Sequence, residues 1–325
     1  MRVAADPLLS TIRISTLVLC MAIAARSDYE TLSVRDSHWV KWSIPAAILL
    51  LVEVNSNNSG TANICMAFAL VAVFSTCFVS PPDPRKLEGW GTMEVILSTI
   101  YIVGFSGLIL GISDYSDTNF VDLVLGDESP EVTLWWSMIG ALLTMAVFLW
   151  AWRLRIIQGG ADVKALILVT LMIPSWSLLP EQMYHLQDEA IFRLPPSMAM
   201  FMWAGAAFLL APPAIFIQNV TKGNIESASD LKMAWHATRK PISDLGEEPS
   251  WILTEIVEKE GIPMVFNRIL PSVKPSSGDA AELGKLESLG LESVWVAKKH
   301  PFLVYLFLSI VPLVLLGDPI ALLIR

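Results

Sequence analysis

Eight long apolar runs govern what this chain can become, at approximately 7–25, 39–54, 62–80, 93–113, 133–152, 163–180, 196–218 and 301–324. A bilayer accepts an apolar run of roughly 17–25 residues as one crossing helix. Lipid offers no partner to backbone N–H and C=O groups, so such a run must close its hydrogen bonds internally, as an α-helix does. The expected fold is therefore all-α: a polytopic membrane helix bundle of about eight transmembrane helices. Composition agrees, because 54% of the 325 residues are hydrophobic and only 16% are charged, against about 25% charged in soluble domains. Two runs carry charge. Lys41 and Glu53 bracket the short second one, and Arg13 in the first must snorkel outward or face protein. Arg2, the first run and the small residues Ala22 and Ala24 also have the layout of a secretory signal peptide. Equally hydrophobic runs follow, however, and nothing resembling a mature secreted domain does.

Orientation follows from the loop lysines and arginines, which favour the cytoplasmic side. Arg26, Arg35 and Lys41 follow the first run, Arg85 and Lys86 the third, and Arg153, Arg155 and Lys164 the fifth. Lys222, Arg239, Lys240, Lys298 and Lys299 lie after the seventh. The alternate loops hold Asn55 to Gly60, the acidic stretch Asp114 to Glu131, and Glu181 to Pro195 with only Arg193. The two sets separate, which predicts a multi-pass plasma-membrane protein with both termini outside. Residues 1–218 are expected to form a membrane domain of about seven helices. Residues 219–300 are a polar, cytoplasmic segment, and 301–325 a closing transmembrane helix. In the polar segment Trp235, Trp251, Ile252, Ile256, Met264, Val265 and Phe266 are candidates for a small core, and Pro275 to Gly284 reads as a linker. Asn57-Asn58-Ser59 matches a glycosylation acceptor in an outer loop.

Several function classes are excluded or unsupported. A net charge of −9 argues against general nucleic-acid binding, which needs a concentrated basic surface. Cys20, Cys65 and Cys77 lie in apolar segments without CxxC spacing and read as small buried hydrophobes. There is no HExxH, GxxxxGK[ST] or GxGxxG, so no metal or other cofactor is expected. His185 near Glu181, Asp188 and Glu189 reads as a solvated loop rather than a metal site.

Chemistry enters with QGGADVKAL, residues 158–166. It places Gly159, Gly160, Ala161, Asp162 and Lys164 at the start of the sixth run. Asp28 closes the first run, and the expected topology puts both aspartates at the cytoplasmic side. Ionisable groups near a bilayer are costly and become functional hypotheses by default. Two carboxylates sharing a site do not both ionise easily, so one keeps its proton near neutral pH. The charged member can then take a proton from water while the neutral one donates to a carbonyl, which is general acid–base peptide hydrolysis. Gly159 and Gly160 would let an extended substrate backbone approach closely. The same residues allow a plainer reading, in which both aspartates cap helices at the interface.

GGADVKAL resembles the second active-site motif of the GxGD-type intramembrane aspartic proteases, most closely the archaeal type IV prepilin and preflagellin peptidases. SDYETLSVRDSHW, with Asp28, is similar to that family's first aspartate segment, and HPFLVYLFLSIVPLVLLGDP to its closing segment. The resemblance implies Asp28 and Asp162 as the catalytic pair, with Gly159, Gly160, Ala161 and Lys164 supporting the motif or the substrate's approach. It also implies prepilin- or preflagellin-like membrane proteins as substrates, cut on the cytoplasmic side of a hydrophobic helix, with no cofactor and no nucleic-acid partner. Ala161 stands where GxGD has glycine, and the stretch between the aspartates is long, predicting extra helices near 60–130. The zinc-binding cysteine domain of bacterial relatives is absent, as is a presenilin-like PAL motif.

Two rival classes remain. Gly104-Phe105-Ser106-Gly107 spells the GxSG of rhomboid serine proteases, but that chemistry needs a histidine in reach of Ser106. His185 is expected outside, with His38 and His300 at cytoplasmic interfaces, and small residues packing a membrane helix explain the motif better. A non-catalytic transporter or secretion scaffold is the other alternative; transporters show repeats and mid-bilayer charges, neither of which is evident.

Overall fold

The structure is a computed structural model and describes residues 6–56, 59–83, 90–125, 127–179, 194–245, 250–259, 262–268, 284, 286–298 and 300–323. His185 with its neighbours Glu181, Asp188 and Glu189, most of Pro275–Gly284, and Asn57-Asn58 lie outside the described residues. In chain order the first helices are α1 (Pro7–Thr31), α2 (Asp36–Ser56), α3 (Thr61–Ser75), α4 (Thr92–Tyr115), α5 (Phe120–Leu125), α6 (Pro130–Arg153) and α7 (Gly160–Met172). Next come α8 (Pro196–Phe208), α9 (Ala211–Thr221), α10 (Asp230–Met233), and the strands β1 (Thr238–Pro241), β2 (Ser250–Ile252), β3 (Thr254–Lys259), β4 (Ile262–Asn267) and β5 (Ser293–Lys298). Three short helices close the chain: α11 (Phe302–Leu308), α12 (Ile310–Leu315) and α13 (Pro319–Leu323). The chain divides into two compact units, residues 1–205 with 302–325, and residues 206–301.

At the centre of the first unit lies α7. Every side chain from Val163 to Met172 is buried. A helix that is apolar on all sides needs protein or lipid on all sides, and α7 has protein: α1, α2, α3, α6 and α11 pack around it. At roughly 1.5 Å per residue it is about 20 Å long. That is too short to span a hydrocarbon core of about 30 Å, but its neighbours surround it. The stripe Gly104, Gly107 and Gly111 lets α4 seat closely. A Cβ on Gly104 would come 2.6 Å from the Ala69 Cα, and one on Gly107 2.5 Å from the Met66 N. A Cβ on Gly111 would strike the Trp135 indole, whose Nε1 donates to the Gly107 O at 3.2 Å. Close backbone approach through small residues is how membrane helices pack without a hydrophobic driving force.

Among the described residues, four helical stretches are long and apolar enough to cross a membrane: Pro7–Thr31, Thr92–Tyr115, Pro130–Arg153 and Pro196–Thr221. Their outward faces are greasy, with Ile102 69% and Trp150 73% exposed. The count of eight does not stand on helix length. α3 and α7 have only 15 and 13 residues. α2 has 21 but carries Asp36, Lys41 and Glu53. The closing run breaks because Pro312 has no N–H to give the Leu308 carbonyl, so α11 and α12 part at Ser309. Beyond them Gly317 takes a left-handed φ of 80°. The buried Asp318 then accepts from the Ile320 N–H at 2.9 Å and the Leu194 N–H at 2.7 Å.

Arg13 faces protein. Fully buried, it donates to the Leu178 O (3.1 Å) and the Leu49 O (3.3 Å) and pairs with the equally buried Glu53 at 3.3 Å. The two charges that disqualify a simple reading of the first and second runs thus neutralise each other.

The second unit corrects the all-α expectation. β1, β5 and β2 form an antiparallel sheet in that order, and β3 pairs with β4 as a hairpin. The central strand SVWVAK is covered on both faces, as an apolar alternating strand requires: Val294 and Val296 join Ile242 and Leu286, while Trp295 packs with Met233, Ala234, Ala237 and Leu253. This core overlaps the expected one at Ile252 and Ile256, which pack against it, and departs from it elsewhere. Trp235, Met264, Val265 and Phe266 are exposed, and Trp235 instead stacks on Phe216 with ring centroids 4.4 Å apart.

Candidate active site

The C-terminal end of α1 and the N-terminal end of α7 meet at one end of the first unit, and they bring Asp28 and Asp162 within electrostatic reach of each other. Asp28 is buried, and its Oδ2 accepts from the Leu303 N–H in the first turn of α11 at 3.3 Å. That contact is an N-terminal cap supplied by another helix, so the plainer reading of Asp28 has a physical basis. Asp162 is different. It lies in the first turn of its own helix but makes no capping bond, and no hydrogen bond to its carboxylate occurs among the described residues. Its carboxylate instead folds back towards Gly159, where an added Cβ would overlap Oδ2.

The glycines therefore serve side chains of this chain. Gly159, with φ −78° and ψ 106°, has a backbone open to any residue, and what a larger one would displace is the Asp162 carboxylate. Gly160 sits against Trp152, where a Cβ would lie 3.1 Å from Cζ2. Ala161 is half-buried and packs on the helical core. Both reversals that feed this end of the bundle contain a left-handed non-glycine residue, Leu32 (φ 52°) after α1 and Arg155 (φ 59°) after α6. Such backbone costs about 1–3 kcal/mol and tends to cluster at functional sites.

Lys164 does not simply reach out to solvent. Its side chain is 11% exposed, its Nζ lies 2.5 Å from Asp36 Oδ1, and it stands over the rings of Phe78 (5.0 Å) and Trp152 (5.7 Å). An ammonium taken from water is stabilised by a carboxylate and by aromatic faces. Sequence reasoning missed Asp36 and Leu303 as members of this neighbourhood. Asp36 carried a usable signal, since it opens α2 a few residues after α1 closes.

Ser106 donates to the Val103 O of its own helix at 2.7 Å, and no histidine bonds to it among the described residues. No group of three or more His, Cys, Asp or Glu side chains is placed to hold a metal ion among the described residues. Cys20 and Cys77 are buried, and Cys65 is partly so. Comparison with known protein families, with curated proteins and with solved structures gives no match.

Proposed function

We propose that this chain is an intramembrane aspartic endopeptidase that removes the short basic leader of prepilin- or preflagellin-like membrane proteins at the cytoplasmic face of the plasma membrane. The observation that carries the reading is the packing of α1 on α7 with Asp28 within electrostatic reach of Asp162, together with a resemblance that assigns the same two residues. In the proposed reaction the ionised carboxylate takes a proton from water, the water oxygen attacks the scissile carbonyl carbon, and the protonated carboxyl donates to the carbonyl oxygen. Collapse of the tetrahedral intermediate breaks the C–N bond, and the amine leaves with a proton returned by the pair. Each acid–base role contributes typically 10²–10⁴-fold.

The test is conversion of a prepilin-like substrate by membranes carrying Asp28→Asn or Asp162→Asn, with insertion of each variant verified. Both variants are expected to lose at least about 100-fold in rate. The double variant should be scarcely slower than either single one, because the two act as a unit. A second reading, a non-catalytic scaffold or transporter, is favoured by the Asp28 contact with the Leu303 N–H. Asn caps about as well as Asp, so that reading expects a fully stable Asp28→Asn protein and no substrate cleavage by the wild type. A well-inserted Asp162→Asn protein that cleaves at the wild-type rate rejects the aspartic mechanism.

A further inference from the structure

A cavity of about 460 Å³ opens between the last turns of α1 and the first turns of α2, lined by Ser27, Thr31, Ser33, Arg35, His38 and Lys41 among others. Its chemistry is one-sided. The acids that could neutralise its cations are engaged elsewhere: Glu30 pairs with Arg26 at 2.9 Å, Asp36 with Lys164 at 2.5 Å, and Asp28 is turned towards α11. Among the described residues neither Arg35 nor Lys41 has a carboxylate partner, and both are exposed.

The hydroxyls divide by role. Ser27 and Thr31 donate to the Ser33 and Ser27 carbonyls at 2.8 Å and hold the loop wall in place. The Ser37 hydroxyl, also on the lining, has no partner among the described residues. Two unpaired cations and a free hydroxyl around a concavity match a phosphate group, which accepts charge-assisted hydrogen bonds from several sides. Apolar surface continues from the rim. Ile23 of α1 lines the cavity, and both it (46%) and Ile44 of α2 (59%) are exposed on helices whose outer faces are apolar.

We propose that this cavity binds the phosphate headgroup of an anionic membrane lipid, with the acyl chains running along the exposed faces of α1 and α2. Loop lysines and arginines near a membrane commonly meet anionic lipids as a diffuse belt. What separates this site from such a belt is the concavity and the engagement of the neighbouring carboxylates with other groups. The inference rests on the membrane placement of α1 and not on the peptidase reading.

The test is native mass spectrometry of the detergent-solubilised full chain titrated with phosphatidylglycerol or phosphatidylcholine. Wild type is expected to retain phosphatidylglycerol preferentially. Each cation near an anionic surface contributes about 5-fold in binding, so Arg35→Gln with Lys41→Gln is expected to weaken that retention by about 30-fold. Arg153→Gln, an exposed cation away from the cavity lining, should leave the preference unchanged, and so should Asp162→Asn, which separates this proposal from the peptidase one. Equal retention of the two lipids, or an unchanged preference in the Arg35/Lys41 variant, overturns the assignment. Displacement of phosphatidylglycerol by inorganic phosphate at matching concentration overturns it as well, since it would mark a free-phosphate site.

Discussion

Gly159→Ala separates the geometry of the aspartate pair from the stability of the fold. Gly159 has φ −78° and ψ 106°, which alanine adopts without strain, so the backbone gives no reason for loss. Replacing glycine at a compatible position stabilises by about 0.4–1 kcal/mol, because the unfolded chain loses freedom. The added methyl, however, would overlap Asp162 Oδ2. That oxygen belongs to the free end of a side chain, so it yields by rotation, at small cost to folding. To regain ordinary contact it must move by on the order of 1 Å, and a misplacement of that size can cost about 10²-fold in rate. The expected variant therefore unfolds at or slightly above the wild-type temperature yet cleaves a prepilin-like substrate about 100 times more slowly. Thermal unfolding in detergent and the cleavage assay on the same preparation read the two effects separately. Wild-type cleavage by a folded Gly159→Ala protein would refute the idea that Gly159 makes room for the catalytic carboxylate. A large loss of stability would refute the argument that only a movable side chain stands in the way.

Other expectations follow from the same geometry. Arg13→Met or Glu53→Met leaves a buried charge without its partner and should destabilise by about 3–5 kcal/mol, while the double variant should be more stable than either single one; denaturant unfolding of the four proteins checks this, and a double variant worse than both would reject the pairing. Burial pushes the Asp230 carboxyl up, but bonds from the Ser227 hydroxyl, the Ser227 and Glu226 N–H groups and Trp295 outweigh it and hold the group below its ordinary value. A group held low stabilises above its unfolded titration range and loses that contribution as pH falls through the folded value, so Asp230→Asn should raise hydrogen exchange at 226–237 near neutral pH and match wild type at acid pH. An equal difference at both would contradict the assignment. Ser243 is exposed and expected on the cytoplasmic side, so a single cysteine there should be labelled only after the membrane is opened.

Length and apolar character carried far at the start of α1, since a helix long enough to cross a membrane announces itself in any window of its sequence, whereas α1 runs on past the expected end near residue 25 to Thr31 and takes Asp28 into its last turn. The short helices were harder to read. α7 looks like a spanning run because its apolar residues continue through Ile173 and on to Leu178 and Leu179, but Pro174 cannot continue the helix, and burial by five neighbours supplies what length does not. Burial on all sides cannot be told from lipid on all sides by hydropathy, because both environments select the same residues. The ion pairs were illegible for a related reason. Arg13 and Glu53, or Lys164 and Asp36, are matched across helices whose register no local pattern encodes, so each looks like an isolated liability until its partner is placed beside it. The core of the second unit was legible at Ile252 and Ile256 but not at its tryptophans: Trp235 and Trp295 are equivalent as letters, and only the central position of β5 between β1 and β2 decides that Trp295 is covered while Trp235 remains at the surface. At the aspartates the sequence pointed to two residues but left their roles open. The capping contact of Asp28 and the unbonded carboxylate of Asp162 now divide the question, because the plainer reading has a partner to name at Asp28 and none, among the described residues, at Asp162. A substitution at Asp162 therefore discriminates between the readings more sharply than one at Asp28, where any replacement unable to accept the Leu303 N–H removes a cap together with an acid.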